Sequence, residues 1–220
     1  MAEYRLFPEG ETPHVSTAAF HAHRERAPHL EQPVHRPRLE KALEFIATAY
    51  VQLANEGQQQ ITLSDLGCGD GGLLQLVHQT IAARDSQYVT FSAWGYDFQP
   101  SNEAGWRERG VTAEQADVFG TDRDAIQLGD IAVTTEVLEH VRDPHDAVRW
   151  IGAHSRYLVA SSPWNETPES HDECHCWSWD QDGYRALIEQ GGFTVLRHET
   201  VGQFQVVLAE QKEAKPCVSS

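Results

Sequence analysis

The sequence predicts an α/β fold: a seven-stranded, mostly parallel sheet with helices on both faces and a C-terminal antiparallel hairpin. Three observations predict it. Apolar runs of strand length alternate with segments of helical periodicity, the pattern of a parallel sheet covered on both sides. The run 61–66 leads into glycines at 67, 69, 71 and 72 and then into an apolar helical segment. Strand, glycine turn and helix N-terminus together make a nucleotide-type pocket. Near the end, two strand-like runs are joined only by a short turn at Gly202, which makes them antiparallel neighbours.

Taken in order, residues 1–37 are rich in Pro and His and poor in apolar runs, and read as an N-terminal arm or lid with a short helix over 17–26. Residues 38–53 carry Leu39, Ala42, Leu43, Ile46, Ala49, Tyr50 and Leu53 at helical spacing, an amphipathic helix packed on the core. A polar connector at 55–60 precedes expected strands at 61–66, 90–96, 112–116, 130–135 and 157–161. Helices are expected between them at 73–83, 101–110 and 144–155. A helix at 180–190 and strands at 193–199 and 203–210 complete a domain spanning 38–211. The polar tail 212–220, with Pro216, is expected to fray.

With 220 residues, 40% of them hydrophobic, the chain suits one α/β domain with a sizeable core. A formal net charge of −16 disfavours nucleic-acid phosphates and anionic membranes and favours a small-molecule partner. Cys68, Cys174, Cys176 and Cys217 make no disulfide framework, and no signal peptide or long apolar span is evident. These features predict a cytoplasmic protein with reduced thiols.

Gly67, Gly69 and Gly72 spell G-x-G-x-x-G, the dinucleotide fingerprint. Asp65 just before them would repel a pyrophosphate and attract a cationic amino-acid moiety. Asp70 adds a second acid to the turn, so a ligand with an ammonium and a sulfonium fits better. The stretch Asp65-Leu66-Gly67-Cys68-Gly69-Asp70-Gly71 resembles the D/E-x-G-x-G-x-G motif of class I S-adenosylmethionine (SAM) methyltransferases. The resemblance implies a Rossmann-like fold and SAM contacts from Asp65, Gly67, Cys68 and Gly69. Asp97, at the end of the second strand, suits the ribose hydroxyls of SAM or NAD, or caps a helix. By the same resemblance Asp117, followed by Val118, contacts the adenine amino group, with an exposed turn aspartate as the alternative. Phe98 and Phe119 would sandwich the base or pack in the core.

After the fourth strand comes Glu136-Val137-Leu138-Glu139-His140. It resembles the E-V-L-E-H segment of ubiquinone-biosynthesis-type methyltransferases, a likeness covering about residues 40–210, and it should lie beside the reacting methyl. A second stretch, His175-Cys176-Trp177-Ser178-Trp179, resembles the H-x-F/W-x-W of small-RNA 2′-O-methyltransferases, which also carry E-x-x-E-H. That resemblance implies metal ligands Glu136, Glu139, His140 and His175, with Mg²⁺, Mn²⁺ or Fe²⁺ favoured by the donor set. A metal-bound hydroxyl acceptor loses its proton more readily. The metal-free alternative makes a Glu of this segment a helix cap and His140 or His175 the general base. A zinc site from His171, Cys174, His175 and Cys176 is disfavoured, because ligands so close in sequence cannot easily surround one ion. Trp164, Trp177 and Trp179 read as an aromatic wall for the acceptor, with the loop 163–176 closing one side. Phe20, His21 and Arg24 read as lid residues.

The expected function is thus SAM-dependent O-methylation of a small hydroxyl-bearing acceptor. RNA terminal 2′-O-methylation, a non-catalytic SAM-binding module and an NAD-dependent oxidoreductase are the competitors. The oxidoreductase lacks a proton-relay set in this sequence.

Overall fold

Residues 2–81 and 89–212 are described by the computed structural model. The sheet is built where the apolar runs predict it: β2 (Gln60–Leu66), β3 (Thr90–Asp97), β4 (Ala113–Gln115), β5 (Ile131–Thr135), β6 (Tyr157–Pro163), β8 (Phe193–Val201) and β9 (Phe204–Gln211). Their order is β4-β3-β2-β5-β6-β9-β8. The first five run parallel, and β9 lies antiparallel between β6 and β8. The central strands are apolar on both sides because both are covered; every residue of β6 is buried.

Helices α2 (Arg36–Asn55), α3 (Gly72–Thr80) and α4 (Glu103–Arg109) share one apolar cluster with Ile61, Leu63 and Val133. Helices α5 (Pro144–His154) and α6 (Gln181–Gln190) share the opposite cluster with Leu66, Ala132 and Leu158. In α2 the buried face carries Leu39, Ala42, Phe45, Ile46, Ala49 and Leu53, and its first turn buries Arg38 on the same side. The strand ends converge at the β2–β5 boundary, where the crossovers part to opposite faces.

Several expectations are corrected. Residues 101–110 are a 3-10 turn at Pro100–Asn102 followed by the shorter α4. The helix expected over 73–83 is α3, and residues 82 and 83 lie outside the described residues, as do Pro216 and Cys217. The short N-terminal helix is only α1 (Ala18–His21), started by the Thr17 hydroxyl, which accepts the Phe20 N–H at 3.3 Å.

The arm also contains an unforeseen strand. β1 (Glu3–Arg5) pairs antiparallel with β7 (Trp177–Trp179), with Tyr4 opposite Ser178. This overturns the aromatic wall. Trp177 and Trp179 lie two apart on β7 and therefore on one face, stacked with centroids 6.3 Å apart in the core. Their indole N–H groups donate to Arg142 O and Glu3 Oε2. Trp164 is tied to the hairpin turn through Gly202 O.

Candidate active site

Two adjoining cavities, of about 310 and 170 Å³, open at the carboxyl ends of β2, β3 and β5. They share His21, Gly67, Asp97, Phe98, Val137 and His140, and so form one cleft. The larger is lined by Asp117, Val118 and Phe119; the smaller by Asp65, Cys68, Gly69 and Glu136. Every residue expected at the cofactor therefore faces this cleft. His21 also lines it, from the arm, whereas Phe20 and Arg24 do not.

The glycine turn is held by backbone bonds. Gly67 N and Cys68 N both donate to Tyr96 O, at 2.8 and 2.9 Å. Gly67 has φ +79°, and a Cβ there would lie 2.4 Å from Val137 Cγ2. Only glycine fits that conformation and that approach. Asp97 accepts from Gly69 N (2.9 Å), Gln99 N (2.8 Å) and Asn102 Nδ2 (3.1 Å). Its Oδ2 takes one of these bonds and keeps acceptor capacity. Burial still raises its pKa, against those hydrogen bonds.

Asp65 shares its side of β2 with Ile61 and Leu63, toward α2. It is buried, its Oδ1 has no hydrogen-bond partner among the described residues, and burial, reinforced by Asp97, pushes its pKa up to about 7. Asp70 behaves differently from expectation. Its Oδ2 lies 2.6 Å from Arg109 Nη2 and 3.1 Å from Arg26 Nη2. Two guanidiniums neutralise it, so Asp70 anchors the arm and α4 to the turn. Of the motif's two acids, Asp65 is the one without an ion pair among the described residues.

Sequence reasoning missed Arg38 as a site residue. Its guanidinium is buried beside the smaller cavity, and Nε and Nη1 have no hydrogen-bond partner among the described residues. Nε lies 3.9 Å from Glu136 Oε1, and the group sits over Phe204 at 5.2 Å. The signal was present: Arg38 continues the apolar stripe of α2 one turn toward its start.

Beyond β5 the chain turns sharply. Glu136 has φ +59°, the one non-glycine residue so placed among the described residues. Such a conformation costs about 1–3 kcal/mol. Its amide donates to Ser161 O at 3.0 Å, and Oε1 accepts from Ser161 Oγ at 2.8 Å. The next residues wind into a 3-10 turn, Leu138–His140. Glu139 is 1% exposed, and neither of its carboxylate oxygens has a hydrogen-bond partner among the described residues. Burial, and then Glu136, raise its pKa well above the carboxylate range. Glu136 is raised by burial too, although Arg38 opposes this.

Glu139, His140 and His175 bring one possible ligand atom each within 4.8 Å of the others. The loop after β6 delivers His175 to this point, and the rings of His140 and His175 stand 4.7 Å apart. Burial, then His175, push the His140 pKa down to about 3. His140 Nδ1 lies 2.9 Å from Cys174 O and His175 Nδ1 lies 2.6 Å from Glu166 Oε2. Each ring therefore keeps Nε2 for another partner. Glu136 is outside this trio, turned toward Ser161 and Arg38. His171 is exposed, and Cys174 Sγ accepts from Arg24 Nη1 at 2.9 Å. No cysteine belongs to a metal-capable group among the described residues.

A twisted, mostly parallel sheet with a cleft at its strand ends, a glycine turn on one side and a strand-end acid on the other defines a Rossmann-like nucleoside-binding enzyme fold. Within that class, residues 38–198 match the family model described as a methyltransferase domain. The chain belongs to this family and is a SAM-dependent methyltransferase. Solved structures similar to it include magnesium protoporphyrin IX methyltransferase from Synechocystis with bound SAM. That match has 14% identity and a TM-score of 0.56, over 82% of this chain and 85% of that one. An O-methyltransferase family protein from Burkholderia thailandensis matches at 11% identity and a TM-score of 0.61, over 82% of this chain and 57% of that one. The cyclase SpnF matches at 12% identity and a TM-score of 0.62, over 87% of each chain. No curated protein matches significantly by sequence. No helix among the described residues is long and apolar enough to cross a membrane.

Proposed function

We propose that the chain O-methylates a small hydroxyl-bearing acceptor. SAM would lie across both cavities, and a divalent cation would be held by Glu139, His140 and His175 with Glu136 beside them. The observation that carries the metal reading is Glu139, a carboxylate buried with both oxygens unpartnered next to two imidazole nitrogens. An unpaired buried carboxylate costs several kcal/mol, and a cation removes that cost. The donor set fits Mg²⁺, Mn²⁺ or Fe²⁺, which accept carboxylate and imidazole.

In this reading Asp97 takes the ribose hydroxyls, and Asp117 and Val118 border the adenine between Phe98 and Phe119. Asp65 faces the ammonium of the methionine portion. Arg38, with two unused donors in the same cavity, pairs with its carboxylate. The glycine turn of Gly67, Cys68 and Gly69 lets the ligand lie against the backbone. Methyl transfer is then an in-line displacement whose rate depends on holding acceptor oxygen and sulfonium in line. A cation held by Glu139, His140 and His175 would supply acidification and orientation of the acceptor hydroxyl. Glu136 and the two histidines border the reacting centre.

The test is turnover in chelator followed by Mn²⁺ or Mg²⁺. Activity should stop and return; full activity in chelator removes the metal and leaves His140 or His175 as a base.

One observation favours a second acceptor class. Glu139 and His140 of the Glu-x-x-Glu-His segment, which is shared in pattern with small-RNA 2′-O-methyltransferases, lie close to the later His175. Against it stands the net charge of −16, which weakens any phosphate-driven binding. Binding of a single-stranded RNA end at physiological salt would favour this second reading over the first.

A further inference from the structure

We infer that Glu166 is a positioning residue: it fixes His175 in the tautomer that carries its proton on Nδ1 and turns the Nε2 lone pair toward Glu139 and His140. The tautomer follows from geometry alone; its consequence for metal binding rests on the cation reading above.

Glu166 lies early in the loop after β6 and His175 near its end. Their side chains are 15% and 11% exposed, and Glu166 Oε2 is 2.6 Å from His175 Nδ1. An ionised carboxylate can only accept, so the ring nitrogen facing it carries the proton. The other oxygen, Oε1, accepts the Asp172 N–H at 3.1 Å, and the His175 N–H donates to Asp172 O at 3.0 Å. Between them Thr167 and Ser170 exchange two backbone bonds of 3.1 and 3.0 Å, which closes the loop on itself. The ring is therefore held by a carboxylate that is itself held.

The same loop treats His140 alike. Cys174 O lies 2.9 Å from His140 Nδ1. One segment thus offers an acceptor to each imidazole and leaves both Nε2 atoms without a hydrogen-bond partner among the described residues. Metal-binding histidines are commonly oriented in this way, and loss of the orienting partner lowers metal affinity about 10–100-fold.

A plain loop-closing role would need Glu166 only for the Asp172 amide. Glu166→Gln separates the two roles. Its amide oxygen can still accept from Asp172, while its NH₂ faces Nδ1 and requires a lone pair there. The proton then moves to Nε2.

The experiment uses the full chain at pH 8, with ¹⁵N-labelled histidine NMR and Mn²⁺ titration followed by EPR. His175→Gln assigns the His175 signals. Wild type should show the Nδ1–H tautomer, and Glu166→Gln should shift it to Nε2–H. Mn²⁺ affinity should fall about 10–100-fold in Glu166→Gln, with SAM affinity within about twofold of wild type as the control for folding. Glu166→Asp, which keeps a carboxylate, should recover part of the loss and serves if the glutamine variant does not fold. An Nε2–H or doubly protonated His175 in wild type, or an unchanged tautomer in Glu166→Gln, overturns the inference. So does wild-type Mn²⁺ affinity in that variant, which leaves the cation reading standing. A tautomer switch in a protein that binds no Mn²⁺ supports the positioning role and removes the cation reading alone.

Discussion

At the glycine turn Asp97 accepts three N–H bonds and Asp70 is held by two guanidiniums. Across Val137, in the Leu138–His140 turn, Glu139 is as deeply buried and neither of its oxygens has a partner among the described residues. The first region satisfies most of its polar groups from within, so its shape is set before any ligand arrives. Asp65 and Arg38 are the exceptions there, and both line the smaller cavity. The second region leaves a carboxylate and two imidazole nitrogens convergent and unspent. A buried polar group without a partner costs free energy, and that cost is the physical basis for proposing a bound cation here.

The comparison breaks first, and hardest, at Gly67. Gly67→Val combines a strained positive φ with overlap on Val137, so SAM affinity should fall roughly 100-fold or more. Calorimetry decides it, and Asp97→Ala, which removes the proposed ribose acceptor together with the carboxylate that holds the Gly69 amide, should act in the same direction. Wild-type affinity in both variants would remove SAM from this cleft.

Glu139→Gln probes the unspent side. Turnover should drop about 100-fold while SAM affinity stays within about twofold. The apoprotein should nevertheless melt at a higher temperature than wild type. The folded-state pKa of Glu139 is raised, so the folded protein holds its proton longer than the unfolded chain. Stability is therefore lost as pH rises, and the gain in Glu139→Gln should grow with pH. A lower melting temperature at pH 8 would mean that Glu139 is already paired in the apoprotein.

The smallest effect is the pH dependence at Asp65. Its carboxyl ionises at about 7 in the fold, against an ordinary 3.8. Between these values the folded chain binds the extra proton, so stability falls as pH rises through that window. Affinity for the SAM ammonium should move the other way, rising several-fold from pH 6 to pH 7.5. A flat affinity profile would show that Asp65 does not face the ammonium.

Much of the cofactor side was legible in the sequence because it is local. Asp65 to Gly71 is one strand end and one turn, and the strands of the sheet follow apolar runs to within a residue or two. Glu139 and His140 were legible for the same reason. What was not legible depends on partners far away in the chain. Asp70 reads as a ligand-facing acid until Arg26 and Arg109 are seen beside it. Trp177 and Trp179 read as a pocket wall until β1 covers them. Arg38 reads as a helix-start charge unless its place on the apolar stripe is followed. Glu166 had no motif to announce it, since its role exists only through the fold of its loop.

The pairing of β1 with β7 also has a consequence for the order in which the chain can be completed. During synthesis Glu3–Arg5 leave the ribosome well before their partners Trp177–Trp179, which emerge only after the parallel strands have been made. A contact so distant in sequence carries a loop-closure cost that local contacts do not. The N-terminal strand therefore cannot pair until β7 has been made. His21, carried by the same arm, packs against Phe98 and His140. A nascent chain thus holds its glycine turn and strand-end acid before β1 can find its partner.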